Sequence, residues 1–191
     1  MENKTFAFYV QHILDSKLTD KELMEFTVSH KEGQNLVKYL QYHSETDEEN
    51  NCMRTYIVRS SVSNEIVAYF SLKASMVSIN EIKGDNRDHF DTKPAVELAN
   101  FAVNSSYIDN HPKLKGCGYI VFTNYIMPIV NQVSSLIGVN YLCIFALPID
   151  SLMARYIDYG FKRLSKQSEE DLHKRLKPDY DEGCIFMYQE I

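Results

Sequence analysis

Apolar positions recur at helical spacing through the first fifty residues: Phe6, Val10, Ile13 and Leu14, then Leu23 and Phe26, then Leu36, Val37 and Leu40. They predict a helical N-terminal part over residues 1–50. Thr19-Asp-Lys-Glu22 has the form of a capping box and marks a helix start. The acidic, polar run Ser44–Asn51 interrupts the periodicity and reads as a solvated loop. From residue 52 the period changes from helix to strand. Arg54–Arg59 and Ile66–Leu72 are β-branched and aromatic, and the turn residues Ser60–Asn64 between them predict an antiparallel hairpin. Gly84–Lys93 reads as a polar loop, and a third strand follows Pro94 from Ala95 to Val103.

Asn104–Lys115 reads as a loop, after which Gly116-Cys-Gly118 opens a long helix with the stripe Phe122, Ile126, Ile129, Val133 and Leu136. Pro128 removes one backbone bond inside that helix and should kink it, and Gly138 is placed to cap its end. Tyr141–Ala146 has no polar residue and predicts a buried strand. A short helix, Ser151–Tyr159, is expected to be capped by Asp150 or Ser151 and to end at Gly160. Strands are expected at Phe161–Leu164 and Cys184–Gln189, with an inserted helix at Ser168–Leu176. A hairpin followed by alternating helices and strands implies an α/β (α+β) fold, a mixed sheet with helices on both faces. No linker divides the chain, so the expectation is a single domain over 1–191, with 52–191 as its core. The final strand, if exposed, would be an edge able to pair across a homodimer.

Composition narrows the function without choosing it. Lys+Arg 20 against Asp+Glu 26 gives a formal charge of −6, which argues against a nucleic-acid binder that works by counterion release. The four cysteines, Cys52, Cys117, Cys143 and Cys184, form no C-x-x-C pair, so neither a metal site nor a redox dithiol is expected. Met1–Leu14 has no apolar leader core, and the apolar stretch Tyr119–Val130 is too short to span a bilayer. Free thiols without an export signal predict a cytoplasmic protein that uses no membrane.

The informative passage is strand, loop, glycines, helix. Glycines at 116 and 118 let the backbone approach a ligand, and unpaired N–H groups at a helix start attract an anion such as a diphosphate. Lys113 and Lys115 add charge there. The loop lacks the Walker A spacing, so it is not a nucleotide-triphosphate loop. Lys113-x-x-Gly116-x-Gly118 is similar to the Q/R-x-x-G-x-G/A loop of the GNAT family of N-acetyltransferases, with Lys in the first position. Leu98-Ala-Asn-Phe-Ala-Val103 resembles the family's L-x-x-L/F-A-V strand, and Arg155-Tyr-Ile-Asp-Tyr-Gly-Phe161 resembles its F-Y-x-x-x-G-F helix end. The three likenesses occur in family order and span roughly residues 50–190. The stretch from Val103 to Lys113 is longer than the family's usual spacing. Phe26, Gln34–Leu40, Arg54–Val58 and Val67–Leu72 look like the family's toxin-type branch, which acetylates aminoacyl-tRNA, although that branch tends to carry Arg where this chain has Asn100.

The resemblance implies a mostly antiparallel six- to seven-stranded sheet, splayed between strands 4 and 5, that binds acetyl-CoA and no metal. It implies direct attack of a primary amine on the thioester. The phosphates would rest on the amides of Leu114, Lys115, Gly116, Cys117 and Gly118 beside Lys113. The pantetheine would pair with the backbone of Phe101 and Val103, and the oxyanion would take an N–H near Ala102 or Val103. Tyr156 matches the family's tyrosine and is the expected acid for the leaving thiolate, since a phenol is protonated at neutral pH. Glu97 is the expected base: it stands in an apolar strand, where a carboxylate is costly without a purpose. His111, Asp109 and His89 are substitutes for it. Cys117 reads as a small spacer and not as a nucleophile. The expected acceptor is a small-molecule or amino-acid-like amine, with aminoacyl-tRNA acetylation as the alternative and a catalytically silent acyl-CoA-binding module as a third reading.

Overall fold

A computed structural model describes residues 7–84, 87–175 and 183–191, with side chains described in these stretches except at 79–91, 167, 171 and 173–175. In chain order the elements begin with β1 (Phe8–His12), α1 (Ile13–Ser16), α2 (Asp20–Glu25), α3 (Gln34–Tyr42), α4 (Ser44–Glu49) and β2 (Arg54–Ser60). They continue with β3 (Ile66–Gly84), β4 (Arg87–Val103), α5 (Ser105–Asn110), α6 (Gly118–Val121), a π turn (Phe122–Ile126) and α7 (Met127–Leu136). The last are β5 (Tyr141–Ala146), α8 (Asp150–Asp158), β6 (Lys162–Arg163), α9 (Lys166–Arg175) and β7 (Ile185–Glu190). Among the described residues seven strands form one sheet in the order β1-β2-β3-β4-β5-β7-β6.

The pairings of β1 with β2, β2 with β3, β5 with β7 and β6 with β7 are antiparallel. The exception is β4 with β5, a parallel ladder that joins Ala95 to Tyr141, Val96 to Leu142 and Glu97 to Cys143 and then stops. No further rung joins β4 to β5 among the described residues.

The fold divides into two compact units. The first comprises residues up to Leu72 together with Asn100–Met127. In it Ile57 and Val58, and likewise Tyr69 and Phe70, are consecutive and fully buried, so both faces of the β2–β3 pair are covered. One face carries the cluster Ile13, Phe26, Val37, Leu40, Ile57, Tyr69 and Ala102, which packs the helical N-terminal part onto the strands. Two buried ion networks reinforce that packing. Glu48 receives His12 Nε2 at 3.0 Å, Arg54 Nη1 at 2.7 Å and the Thr55 N–H at 2.8 Å. Arg59 donates to Glu22, to Ser16 and to the Asn64 carbonyl. Burial by itself raises the Glu22 carboxyl, but hydrogen bonds from Arg59 and Thr19 outweigh it and hold the group below its ordinary value. Its contribution is therefore present at neutral pH and lost as pH falls through that lowered value.

The second unit comprises Lys73–Ala99 and Pro128–Ile191. Its core joins Val77, Ala95, Tyr141, Cys143, Leu164, Leu172 and Phe186.

Several expectations need correction. Phe8–His12 is a strand and not a helix: it pairs with Ser60 to Tyr56, and Phe6 and Val10, four apart, fit either period. The acidic run Ser44–Asn51 is mostly helix α4, because its Glu48 turns inward to the cations just described. The expected loops at Gly84–Lys93 and Asn104–Lys115 are largely strand and helix. Mutual pairing of β3 and β4 extends both strands, with Ser78 Oγ 3.4 Å from Thr92 Oγ1. The N-cap of α8 is Ile149, without a side-chain bond, in place of Asp150 or Ser151. Gly138 follows α7 but is not among the glycines with positive φ. Pro128 is accommodated by the π turn directly before it, which absorbs the missing donor. The final strand is not an edge: β7 lies between β5 and β6, so it is spent within the sheet and does not supply the expected dimer edge. The expected capping box is present, with the Thr19 side chain accepting the Glu22 N–H and Glu22 accepting the Thr19 N–H. Among the described residues no helix is long and apolar enough to cross a membrane.

Burial separates the acids of α4. Glu48→Ala removes a buried carboxylate with three partners and should lower stability by about 2 kcal/mol in urea unfolding. Glu45→Ala and Glu49→Ala, at exposed positions of the same helix, should each change it by less than about 0.5 kcal/mol.

Candidate functional site

The first unit carries the residues expected to hold an anionic ligand. Asn104 fixes the end of β4: its N–H donates to the Val67 carbonyl at 2.8 Å, and its side chain donates to the Ile66 carbonyl at 2.9 Å. The same side chain accepts from the N–H groups of Thr27 and Ser106, both at 3.2 Å, and so caps α5. The preceding strand leaves Phe101 and Val103 half-buried and puts Ala102 in the same buried cluster as Tyr69. Within α5 Tyr107 is buried, and His111 stacks on it at 4.2 Å with Nδ1 2.9 Å from the Tyr107 carbonyl. His111 is thus a packed residue, and Asp109 is exposed. The third substitute base, His89, lies outside the residues whose side chains are described.

The loop itself spends some amides and leaves others. Leu114 donates to the His111 carbonyl at 2.8 Å, Lys115 to Pro112 at 3.3 Å and Cys117 to Leu114 at 2.9 Å. Gly116 and Gly118 make no such bond among the described residues, so two of the five expected amides remain available. Gly116 has φ +92°, a conformation that turns the chain between Lys115 and Cys117, and a Cβ there would meet nothing within 4 Å. Lys113, Lys115 and Gly116 are exposed. Burial pushes the Cys117 thiol up to about 11, so it stays protonated at neutral pH. An open, mainly apolar cavity of about 640 Å³ adjoins the loop, lined in part by Phe8, Val62, Tyr107, Pro112, Lys113 and Leu114. The arrangement fits a diphosphate: free N–H groups, two exposed lysines and open space before the turn.

The second unit carries Tyr156 and Glu97. Helix α8 ends in a Schellman motif, with the Phe161 N–H on the Tyr156 carbonyl and the Gly160 N–H on the Ile157 carbonyl, both at 2.9 Å, and Gly160 at φ +96°. This closure packs the Tyr156 ring against Phe161 at 5.5 Å, edge to face, and Tyr159 lies at 6.0 Å. Burial pushes the Tyr156 phenol well above its ordinary value, with Tyr159 adding and Arg155 opposing, so the hydroxyl is protonated at neutral pH. That hydroxyl makes no hydrogen bond among the described residues. Glu97 is buried and fully engaged, with Lys73 Nζ 3.1 Å from Oε1 and Ser75 Oγ donating to Oε2 at 3.1 Å. Cys143, its partner on the last rung of the ladder, is pushed up to about 12 by burial and by the neighbouring carboxylate. Among the described residues no cluster of His, Cys, Asp or Glu could hold a metal ion.

Asn104 is absent from the residues expected of the site, although Asn104-Ser-Ser is a helix-cap pattern that marks it.

No family model and no curated protein matches the chain. Solved structures do. A Tyr-to-Phe variant of the AtaT toxin bound to the C-terminus of the antitoxin AtaR is similar over 96% of this chain and 92% of its own, at 18% identity and TM-score 0.64. A Tyr-to-Phe variant of KacT matches over 96% and 94%, at 16% identity and TM-score 0.65. AtaT complexed with acetyl-methionyl-tRNAfMet matches over 96% and 95%, at 17% identity and TM-score 0.63. The chain therefore has the GNAT fold along nearly its whole length.

Gly160→Ala forces a Cβ into left-handed backbone and within 3.2 Å of Gln189 Oε1. It should cost about 1–2 kcal/mol in denaturant unfolding, whereas Gly116→Ala, with strained φ but open space, should cost only the backbone part.

Proposed function

We propose that this chain transfers the acetyl group of acetyl-CoA to the amino group of an aminoacyl-tRNA. The observation that carries the reading is the whole-length likeness to AtaT complexed with acetyl-methionyl-tRNAfMet and to AtaTR bound with AcCoA. The free amides of Gly116 and Gly118 beside two exposed lysines support it within the chain itself. On this reading the acceptor is an aminoacyl-tRNA in place of the small-molecule amine expected from the sequence. The formal charge of −6 favours the small amine, and the assay below separates the two.

Acetyl-CoA supplies a thioester activated toward amines. Gly116 and Gly118 donate their N–H groups to its diphosphate, and Lys113 and Lys115 neutralise charge there. The extended backbone of Phe101 and Val103 pairs with the peptide-like pantetheine. An N–H near Ala102 or Val103 meets the oxygen that gains charge during attack. Glu97, with both oxygens held by Lys73 and Ser75, takes the amine's proton through water. Tyr156 gives its proton to the departing thiolate sulfur and regains one from solvent. That AtaT and KacT were each obtained with one tyrosine changed to phenylalanine, a loss of one hydroxyl, is consistent with a tyrosine in this role.

Acetyl-CoA at about 100 times its Kd should raise Tm by about 5–10 °C, from roughly 2.7 kcal/mol of linkage in a chain of this size. Labelled acetyl should then appear on the amino acid of aminoacyl-tRNA and not on free alanine or spermidine. Tyr156→Phe should lower kcat by about 100-fold while keeping the Tm shift. Labelling of free amines alone would restore the small-molecule reading. A Tm shift without thiol release would leave a silent acyl-CoA-binding module.

A further inference from the structure

One face of β2, β3 and β4 changes character in a single step. Ile57, Tyr69 and Ala102 belong to one buried apolar cluster. Two residues along each strand, and so on the same face, stand Thr55, Ser71 and Asn100. Thr55 and Ser71 are fully buried and spend their hydroxyls on each other at 2.9 Å. Tyr39, on α3, stacks on Tyr69 at 6.3 Å and brings its hydroxyl 3.3 Å from Met53 Sδ and 3.5 Å from Thr55 Oγ1. Asn100 is half-buried, and among the described residues its amide nitrogen reaches only the Met53 sulfur, at 3.7 Å. A thioether is a weak acceptor, and the Asn100 carbonyl oxygen has no partner among the described residues.

A polar row in the middle of a sheet is costly unless its groups are paired. Here two hydroxyls satisfy one another, the phenol rests on sulfur and hydroxyl, and the carboxamide is left with an unused acceptor. Asn100 also stands on the strand whose next residues, Phe101–Val103, are assigned to the pantetheine. The unused acceptor therefore lies one residue from the backbone proposed to hold the acetyl donor.

We propose that the Asn100 carboxamide oxygen, steadied by Met53 and the Tyr39–Thr55–Ser71 row, accepts an N–H of the acceptor's amino group and holds it beside the end of β4. This rests on the acetyltransferase reading and adds the residue that positions the acceptor. The Asn100 carboxamide is uncharged and favours the ammonium form less than a carboxylate in its place would, which leaves the lone pair of the free base available for attack. The titratable and charged groups against the row are Tyr39 itself, Asp47 acting on its hydroxyl, and Glu48, which accepts the Thr55 N–H at 2.8 Å and is paired with Arg54 and His12.

The test is steady-state acetylation of aminoacyl-tRNA by Asn100→Ala and Asn100→Asp, alongside Tm and acetyl-CoA titration for each. Asn100→Ala should raise the acceptor KM about tenfold, with the acetyl-CoA KM and Tm little changed. Asn100→Asp keeps an oxygen but favours the ammonium form, so its kcat/KM should rise with pH later than that of the wild type. An acceptor KM within twofold of wild type, or equal losses in both substrates, overturns the assignment while leaving the acetyltransferase reading intact. A wild-type protein that acetylates no aminoacyl-tRNA overturns both.

Discussion

The parallel ladder between β4 and β5 holds from Ala95–Tyr141 to Glu97–Cys143 and no further. Past that rung β4 has no β5 partner, and extended backbone unpaired on one side keeps N–H and C=O groups that must be satisfied elsewhere. Phe101–Val103 lie in this stretch of β4. Its end cannot drift, because Asn104 ties it to Ile66, Val67 and Thr27 at once. The chain then enters α5 and returns through Lys113–Gly118, where local turns consume three amides and leave those of the two glycines. The proposed chemistry depends on this sequence of constraints: a strand released from one partner, anchored at its end, and followed by a loop whose glycines keep their donors.

The carboxylates that matter to the fold are turned inward and matched. Glu48 meets Arg54 and His12, Glu22 meets Arg59, Glu97 meets Lys73, and Glu169 meets Arg163 while accepting the Phe186 N–H. Pairs of this kind tie helices to strands and fix orientation more than they add net stability. They also show why a formal charge is a poor guide to a binding surface. The count of acids and bases says nothing of which ones are already spent on each other.

Much of the architecture was legible where local chemistry decides the outcome. The apolar run Tyr141–Ala146, the hairpin around Ser60–Asn64, the capping box at Thr19 and the left-handed Gly160 are each set by a few adjacent residues. The rest depends on partners distant in sequence. Phe8–His12 is a strand because β2 pairs with it, Glu48 is buried because Arg54 and His12 converge on it, and β3 and β4 extend because they pair with each other. The candidate site divides in the same way. The loop glycines and Tyr156 could be read from their motifs, but a motif does not reveal that Cys117 spends its amide on Leu114. Glu97 was correctly read as buried, yet its two ligands, Lys73 and Ser75, come from another strand. The row Thr55, Ser71, Asn100 exists only once three strands are in register.

The most direct measurement of the central claim is the response of individual backbone amides to acetyl-CoA by heteronuclear NMR. The account predicts that Gly116 and Gly118 move downfield and gain exchange protection on saturation, while Leu114 and Cys117, already bonded within the loop, change little. Saturable binding that leaves both glycine amides unmoved, or no binding at all, would contradict it.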